Sequence, residues 1–244
     1  MRPFDVSYII KGFTELFPYT GITLLVLLLS LICGTVLGVL LAWGRMSGNR
    51  IASGISLAYV HVIRCTPSIV LLFIVFYGLP LLLRAAGGGR PGTAGTYNGK
   101  FFSVVAALTM LSAAAFCEIF RAAYRSVDNG QREAAFCCGM NRFQIAVLVV
   151  VPQAAQAALP NICTQIIILL KQGSLAFTIG FVDLAGQAQI MVKRSYGGHG
   201  LETYAALALI YWLLTVSIEQ ILMRVQRACS KGLAVVGTEE RTWS

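Results

Sequence analysis

Between Gln153 and Ser174 an otherwise apolar stretch carries Gln153, Gln156, Asn161, Thr164, Gln165, Lys171, Gln172 and Ser174. Amides, hydroxyls and a single ammonium supply hydrogen bonds and a local field. Without a base beside them they make and break no covalent bonds. At roughly 100° per helical residue, Lys171 eclipses Gln153, Thr164 lies about 20° away, and Gln156 and Ser174 lie about 60° to one side. Asn161, Gln165 and Gln172 flank this stripe, while Ile166, Leu169 and Leu170 occupy the other face. Pro160 bends the axis, so the angles are approximate. Lys171 follows Pro160 by about 16 Å of helix, close to the middle of a bilayer. A charge at that depth costs on the order of 3 kcal/mol and faces water or a partner. Two readings stay open: one wall of a water-filled passage, or a hydrogen-bonded seam between two chains.

Bond-making chemistry has little support elsewhere. The two histidines, His61 and His199, are far apart and have no Cys or carboxylate cluster around them. The seven cysteines include no C-x-x-C, and an odd, scattered set is neither a metal site nor a disulfide framework. Cys33 lacks the small residue that precedes a lipidated cysteine. The nearest approach to a phosphate-binding loop is Ala94–Phe101, AGTYNGKF. Ala94 replaces its first Gly and Phe101 its final Ser or Thr, so no nucleotide site is expected in the chain.

The elements that must position the polar stripe are membrane helices. The chain has 244 residues, 57% hydrophobic and 12% charged, about half the charge of a soluble domain. Five spans are expected: Gly21–Trp43, Thr66–Leu83, Phe101–Ala122, Gln153–Phe181 and Tyr204–Leu222. Each has the roughly 17 residues or more that a crossing needs, the second, at roughly 25 Å, only just. Thr66 reads as the N-cap of the second span with Pro67 in its first turn, and Arg64 lies just outside it. Gly87–Gly99 reads as a loop. Asp183 and Glu202 flank an expected interfacial helix. Glu118 and Arg121, three apart, suit a local ion pair or a gate. The fold class is therefore all-α and integral to the membrane, with one transmembrane domain over 1–244, its core about 21–227. The first apolar run starts too late, and is too long, for a removable signal.

The net charge of +9 comes without the aromatic–basic alternation of nucleic-acid binding, so nucleic acid is not an expected partner. Placing the N-terminus outside leaves eleven Lys and Arg on inner segments and seven on outer ones. That bias sends the polar loop at 128–152, with its adjacent Cys137 and Cys138, and the tail at 223–244 into the cytoplasm. Within the loop, Asp128 and Gln131 resemble a capping box, so a helix should start near Asn129. Gly139 would end it in the left-handed conformation, and Asn141 with Gln144 would cap the next helix. Such a short capped helix suits either docking on a partner or a rigid interfacial turn.

The run Glu133-Ala134-Ala135, three residues, Gly139, nine residues, Val149, one residue, Val151-Pro152 resembles the EAA loop of ABC-importer permeases. Val149 and Val151 replace the usual Ile and Leu. Three further segments resemble the polar amino acid subfamily: Arg64-Cys65-Thr66-Pro67, Glu118-Ile119-Phe120-Arg121 before Gly130-Gln131, and Leu170-Lys171-Gln172-Gly173-Ser174-Leu175. The departures are Cys65 for Gly and Gly173 for Thr.

The resemblance implies the type I ABC importer permease fold, with the EAA segment as a cytoplasmic coupling helix, in the bacterial cytoplasmic membrane. It also implies partners: a cytoplasmic ATPase dimer that binds the ATP, a second permease chain, the same or homologous, and an extracytoplasmic solute-binding protein. Glu133, Ala134, Ala135 and Gly139 would dock the ATPase; Glu133 would be the charged contact, the alanines the close-approach face and Gly139 the turn. Gln156, Thr164, Lys171 and Ser174 would line the translocation pathway of a polar amino acid. The chain itself would be a non-catalytic subunit without a cofactor. The competing reading is a secondary transporter, although no inverted repeat is evident.

Overall fold

The computed structural model describes residues 5–85 and 95–231; most of the expected loop at Gly87–Gly99 lies outside them. Ten α-helices are present among these residues. They are α1 (Val6–Leu16), α2 (Thr20–Met46), α3 (Arg50–Cys65), α4 (Ser68–Ala85), α5 (Tyr97–Ser126), α6 (Asn129–Cys137), α7 (Arg142–Gln144), α8 (Val151–Gly173), α9 (Leu184–Arg194) and α10 (Gly200–Lys231). Five stretches are long and apolar enough to cross a membrane.

The core forms where α2 lies along α5. Ser30, Gly34, Gly38 and Ala42 repeat every fourth residue and are all buried, which lets the two backbones approach closely. A Cβ on Gly38 would sit 2.7 Å from the Cβ of Phe116. Gly34 faces Ser112 as Gly38 faces Phe116, so the two helices run in the same direction. Ser112 Oγ donates to the Ser30 carbonyl at 3.2 Å, which ties the pair at mid-length. Around it, α4 and α8 add Leu71, Leu72, Val75, Ile166, Leu169 and Leu170 to one buried apolar cluster.

The second crossing is broken. Helix α3 runs back along α2 and α5, with Val60 packed beside Ala42 and Cys117, and Tyr59 Oη donating to the Met110 carbonyl. Beyond the break α4 continues in the same sense, placing Leu72 near Val104 and Leu108. Thr66 therefore closes α3 instead of capping α4. Its N–H and its hydroxyl both donate to the Val62 carbonyl, at 3.1 and 2.7 Å. Pro67 holds Thr66 in the extended region, at ψ 127°. Arg64 consequently lies beside Leu111 and Ala115, halfway along α5, and not outside the second span.

The fourth crossing holds a second irregularity. Ile145–Val150 is a π turn in which the Val151 N–H bonds the Ala146 carbonyl. Pro152 follows directly; its missing N–H leaves the Leu148 carbonyl without its helical donor, which favours the wider turn. At the far end of α8, Gly180 adopts φ +71° after one 3₁₀ stretch, and Asp183 caps α9 by accepting from the Gly186 N–H. Glu202 stands in the first turn of α10.

Candidate functional site

The polar loop folds as a closed unit. Helix α6 begins at Asn129, with the Asp128 carboxylate accepting from the Gly130 N–H at 3.2 Å, one position earlier than a capping box with Gln131 requires. Gly139 is left-handed at φ +81°, and the Met140 N–H reaches back to the Ala135 carbonyl. Asn141 and Gln144 form a reciprocal capping box, both bonds 2.9 Å. Ala135 turns inward, buried with Val127, Ile145 and Val150. Glu133 and Ala134 turn outward. Of the two alanines, then, one anchors the helix and one is presented.

Arg132 fastens the loop to α5. Its guanidinium stacks 4.6 Å from the centre of the Tyr124 ring and donates to the Tyr124 carbonyl at 2.9 Å. A cation at the C-terminal end of α5 also meets the negative end of that helix's dipole. Arg132, Glu133, Phe136, Cys137, Arg142 and Ile145 border an open groove of about 620 Å³. Phe136 and Phe143 are 67% and 76% exposed, a large apolar surface for a loop of this size.

A second concavity lies at the break in the second crossing. It measures about 390 Å³ and is lined by Arg64, Thr66 and Ser68, by Leu111, Ala115 and Glu118 of α5, and by Asn161, Thr164, Gln165 and Gln172 of α8. Gln172 Nε2 donates to Ser68 Oγ at 3.1 Å, which pins α8 to the start of α4. Glu118 is held from two sides, by Arg45 and by Arg121, the latter at 2.8 Å. Two cations on one carboxylate leave this cluster net positive, and Arg64 adds a further positive charge.

Among the sequence-derived pathway residues, Thr164 lines the cleft. Gln156, Lys171 and Ser174 are not on its wall; Lys171 is exposed, and Ser174 Oγ bonds the Lys171 carbonyl. The flanking amides Asn161, Gln165 and Gln172 line it instead. Arg45 and Arg64 were not singled out by sequence reasoning as site residues. Their signal was present as an Arg at the end of an apolar run and an Arg one turn before a Thr-Pro break.

The family of binding-protein-dependent transport system inner membrane components matches residues 34–231. The chain belongs to this family. It is similar to the L-cystine transport system permease protein TcyL of Bacillus subtilis (strain 168), 38% identical over 89% of this chain and 88% of the relative. It is also similar to the glutamine transport system permease protein GlnP of Escherichia coli (strain K12), 30% identical over 92% and 97%. A solved amino acid ABC transporter structure with histidines superposes with a TM-score of 0.80, at 30% identity and over 93% of this chain and 100% of that one. An inward-facing MetNI methionine ABC transporter, at 21% identity and a TM-score of 0.62, shares the fold. The architecture is thus that of ABC importer permeases, and the chain is the transmembrane component of such a transporter.

Proposed function

We propose that this permease carries a polar amino acid, delivered by an extracytoplasmic binding protein, and docks a cytoplasmic ATPase through α6. ATP is bound and hydrolysed on that partner, and this chain is a non-catalytic subunit that pairs with a second permease chain. The N-terminus lies outside the cytoplasmic membrane, and the loop at 128–152 and the C-terminus lie inside. The observation that carries the docking reading is the two-sided seating of α6. Ala135 and Arg132 fix the helix to the permease body, while Glu133, Ala134 and Phe136 are left exposed. A loop held this firmly delivers a push instead of absorbing it.

The solute route is proposed to run through the cleft at Arg64, with Thr164 on its wall and Lys171, Gln156 and Ser174 on the adjoining face of α8. Discontinuous helices in transporters direct the positive N-terminal end of a half-helix at anionic groups. Here the start of α4, Arg64 and the net-positive Glu118 cluster suit a carboxylate, and the three amides suit its polar remainder. The names of the two relatives give cystine and glutamine, both of which bear carboxylates.

The test is co-purification of the permease with the ATPase. Glu133→Ala and Gly139→Leu should lower complex yield or transport-coupled hydrolysis at least several-fold while insertion continues. Gly139 carries φ +81°, which penalises a branched side chain. Normal transport and complex yield in both variants would refute docking through α6, and transport with no associated ATPase would favour the secondary transporter.

A further inference from the structure

Helix α1 has three distinct faces. Leu16 and Gly12 are buried and Ile9 is half-buried, packed towards α9 and α10 beside Leu184, Ala206 and Ile210. Lys11, exposed, and Glu15, half-buried, occupy a second face as an ion pair at 4.0 Å, with Ser7 and Thr14 between them and the third face. The third face is wholly apolar: Val6, Ile10 and Phe17 are 61%, 65% and 56% exposed, and Phe13 stacks on Phe17 with ring centres 5.8 Å apart. At roughly 100° per residue these four side chains fall within about 60° of one another, and the charged pair lies roughly opposite.

This exposed row does not stop at Phe17. After one 3₁₀ turn containing Pro18 it continues on α2 as Leu24, Leu28, Ile32, Val36 and Leu40, all exposed and all apolar. A row without a single polar atom suits lipid, unlike the exposed polar stripe of α8. The continuous stretch Val6–Met46 has 41 residues, about 62 Å of helix, and only roughly 30 Å of it can lie in hydrocarbon. One end of the stretch must leave the acyl region, and α1 carries the charges and the hydroxyls. An apolar row, a charged face and a position beside a crossing are the features of an interfacial helix.

We infer that α1 lies in the headgroup–acyl boundary of the leaflet opposite the coupling loop. Val6, Ile10 and Phe17 point into lipid, and Lys11 is at headgroup level where it meets phosphate. Its buried face then clamps α9 and the start of α10, where the Asp5 N–H bonds the Glu202 carboxylate at 3.2 Å and Tyr8 stacks on His199.

The experiment places tryptophan at Ile10 or, on the charged face, at Glu15 in full-length permease with Trp43, Trp212 and Trp243 replaced by Phe. The protein is reconstituted in phosphatidylcholine–phosphatidylglycerol vesicles with lipids brominated near the headgroup or deep in the chain. Ile10→Trp should be quenched about twofold or more over Glu15→Trp, and more by the shallow bromines than by the deep ones. Phe17→Trp repeats the measurement on the same row, in case one substitution disturbs the helix. Equal quenching at Ile10 and Glu15, or stronger quenching by the deep bromines, would overturn the inference. Absence of quenching on the row would do so as well, and would mean that a second permease copy or another protein covers it.

Discussion

Asp183 is 2% exposed, and burial raises its carboxyl from the ordinary value to about 6. Its bond from the Gly186 N–H, which caps α9, pulls the other way and is outweighed. Because the folded pKa lies above the unfolded one, protonation favours the folded state. The contribution is full below about pH 4, declines through pH 6, and is absent at neutral pH. Asp183→Asn keeps a side-chain oxygen for the cap and removes the charge. The variant should melt a few degrees higher than the parent at pH 7.5, with the gap closing towards pH 5, as read by thermal unfolding in detergent. A lower Tm at pH 7.5 would show that the charge itself holds the cap. At this scale the loop was the most legible part of the chain. The left-handed Gly139 and the Asn141–Gln144 capping box follow from local chemistry that tertiary packing cannot easily override. Arg45 was not legible, because its partner Glu118 is 73 positions away and nothing local joins them.

Among the elements, the paired helices α2 and α5 carry the largest close contact, and glycine makes it possible. Gly38→Val should lower Tm and membrane yield sharply, by about 3 kcal/mol or more, because the new Cβ meets backbone and the Phe116 Cβ at 2.7 Å. Gly54, in the interior of α3, has nothing within 4 Å of its added Cβ. Gly54→Ala should therefore be neutral or gain roughly 0.5–1 kcal/mol from helix propensity. Parallel melting curves of the two variants check the contrast. The five apolar runs were readable from hydropathy alone. The first half of the second crossing was not, because α3 is Ser- and His-bearing and amphipathic, so it resembles a surface segment until α5 covers it. The π turn escaped notice for a related reason: it adds a residue to the helical register without changing composition. On the helical wheel the cleft-lining amides Asn161, Gln165 and Gln172 centre about 100° from Lys171, through which the polar lane is drawn.

For the whole molecule, the exposed stripe Asn161, Thr164, Ile168 and Lys171 cannot rest against acyl chains without leaving polar groups unsatisfied. It calls for water or a second chain, and Lys171→Met separates the two. If the stripe borders the route, dimer yield should hold while ATP-driven uptake in vesicles falls several-fold. Loss of dimer, with uptake per remaining dimer unchanged, would make Lys171 a seam residue. The break at Thr66–Pro67 has a different kind of consequence. The donors it exposes at the start of α4 belong to the peptide backbone, which every codon specifies alike. If the proposed solute route holds, point substitutions along the cleft would retune which side group is welcomed, while attraction for a carboxylate would be inherited with the bend. On that route a lineage could change its cargo without rebuilding the handle by which the cargo is held.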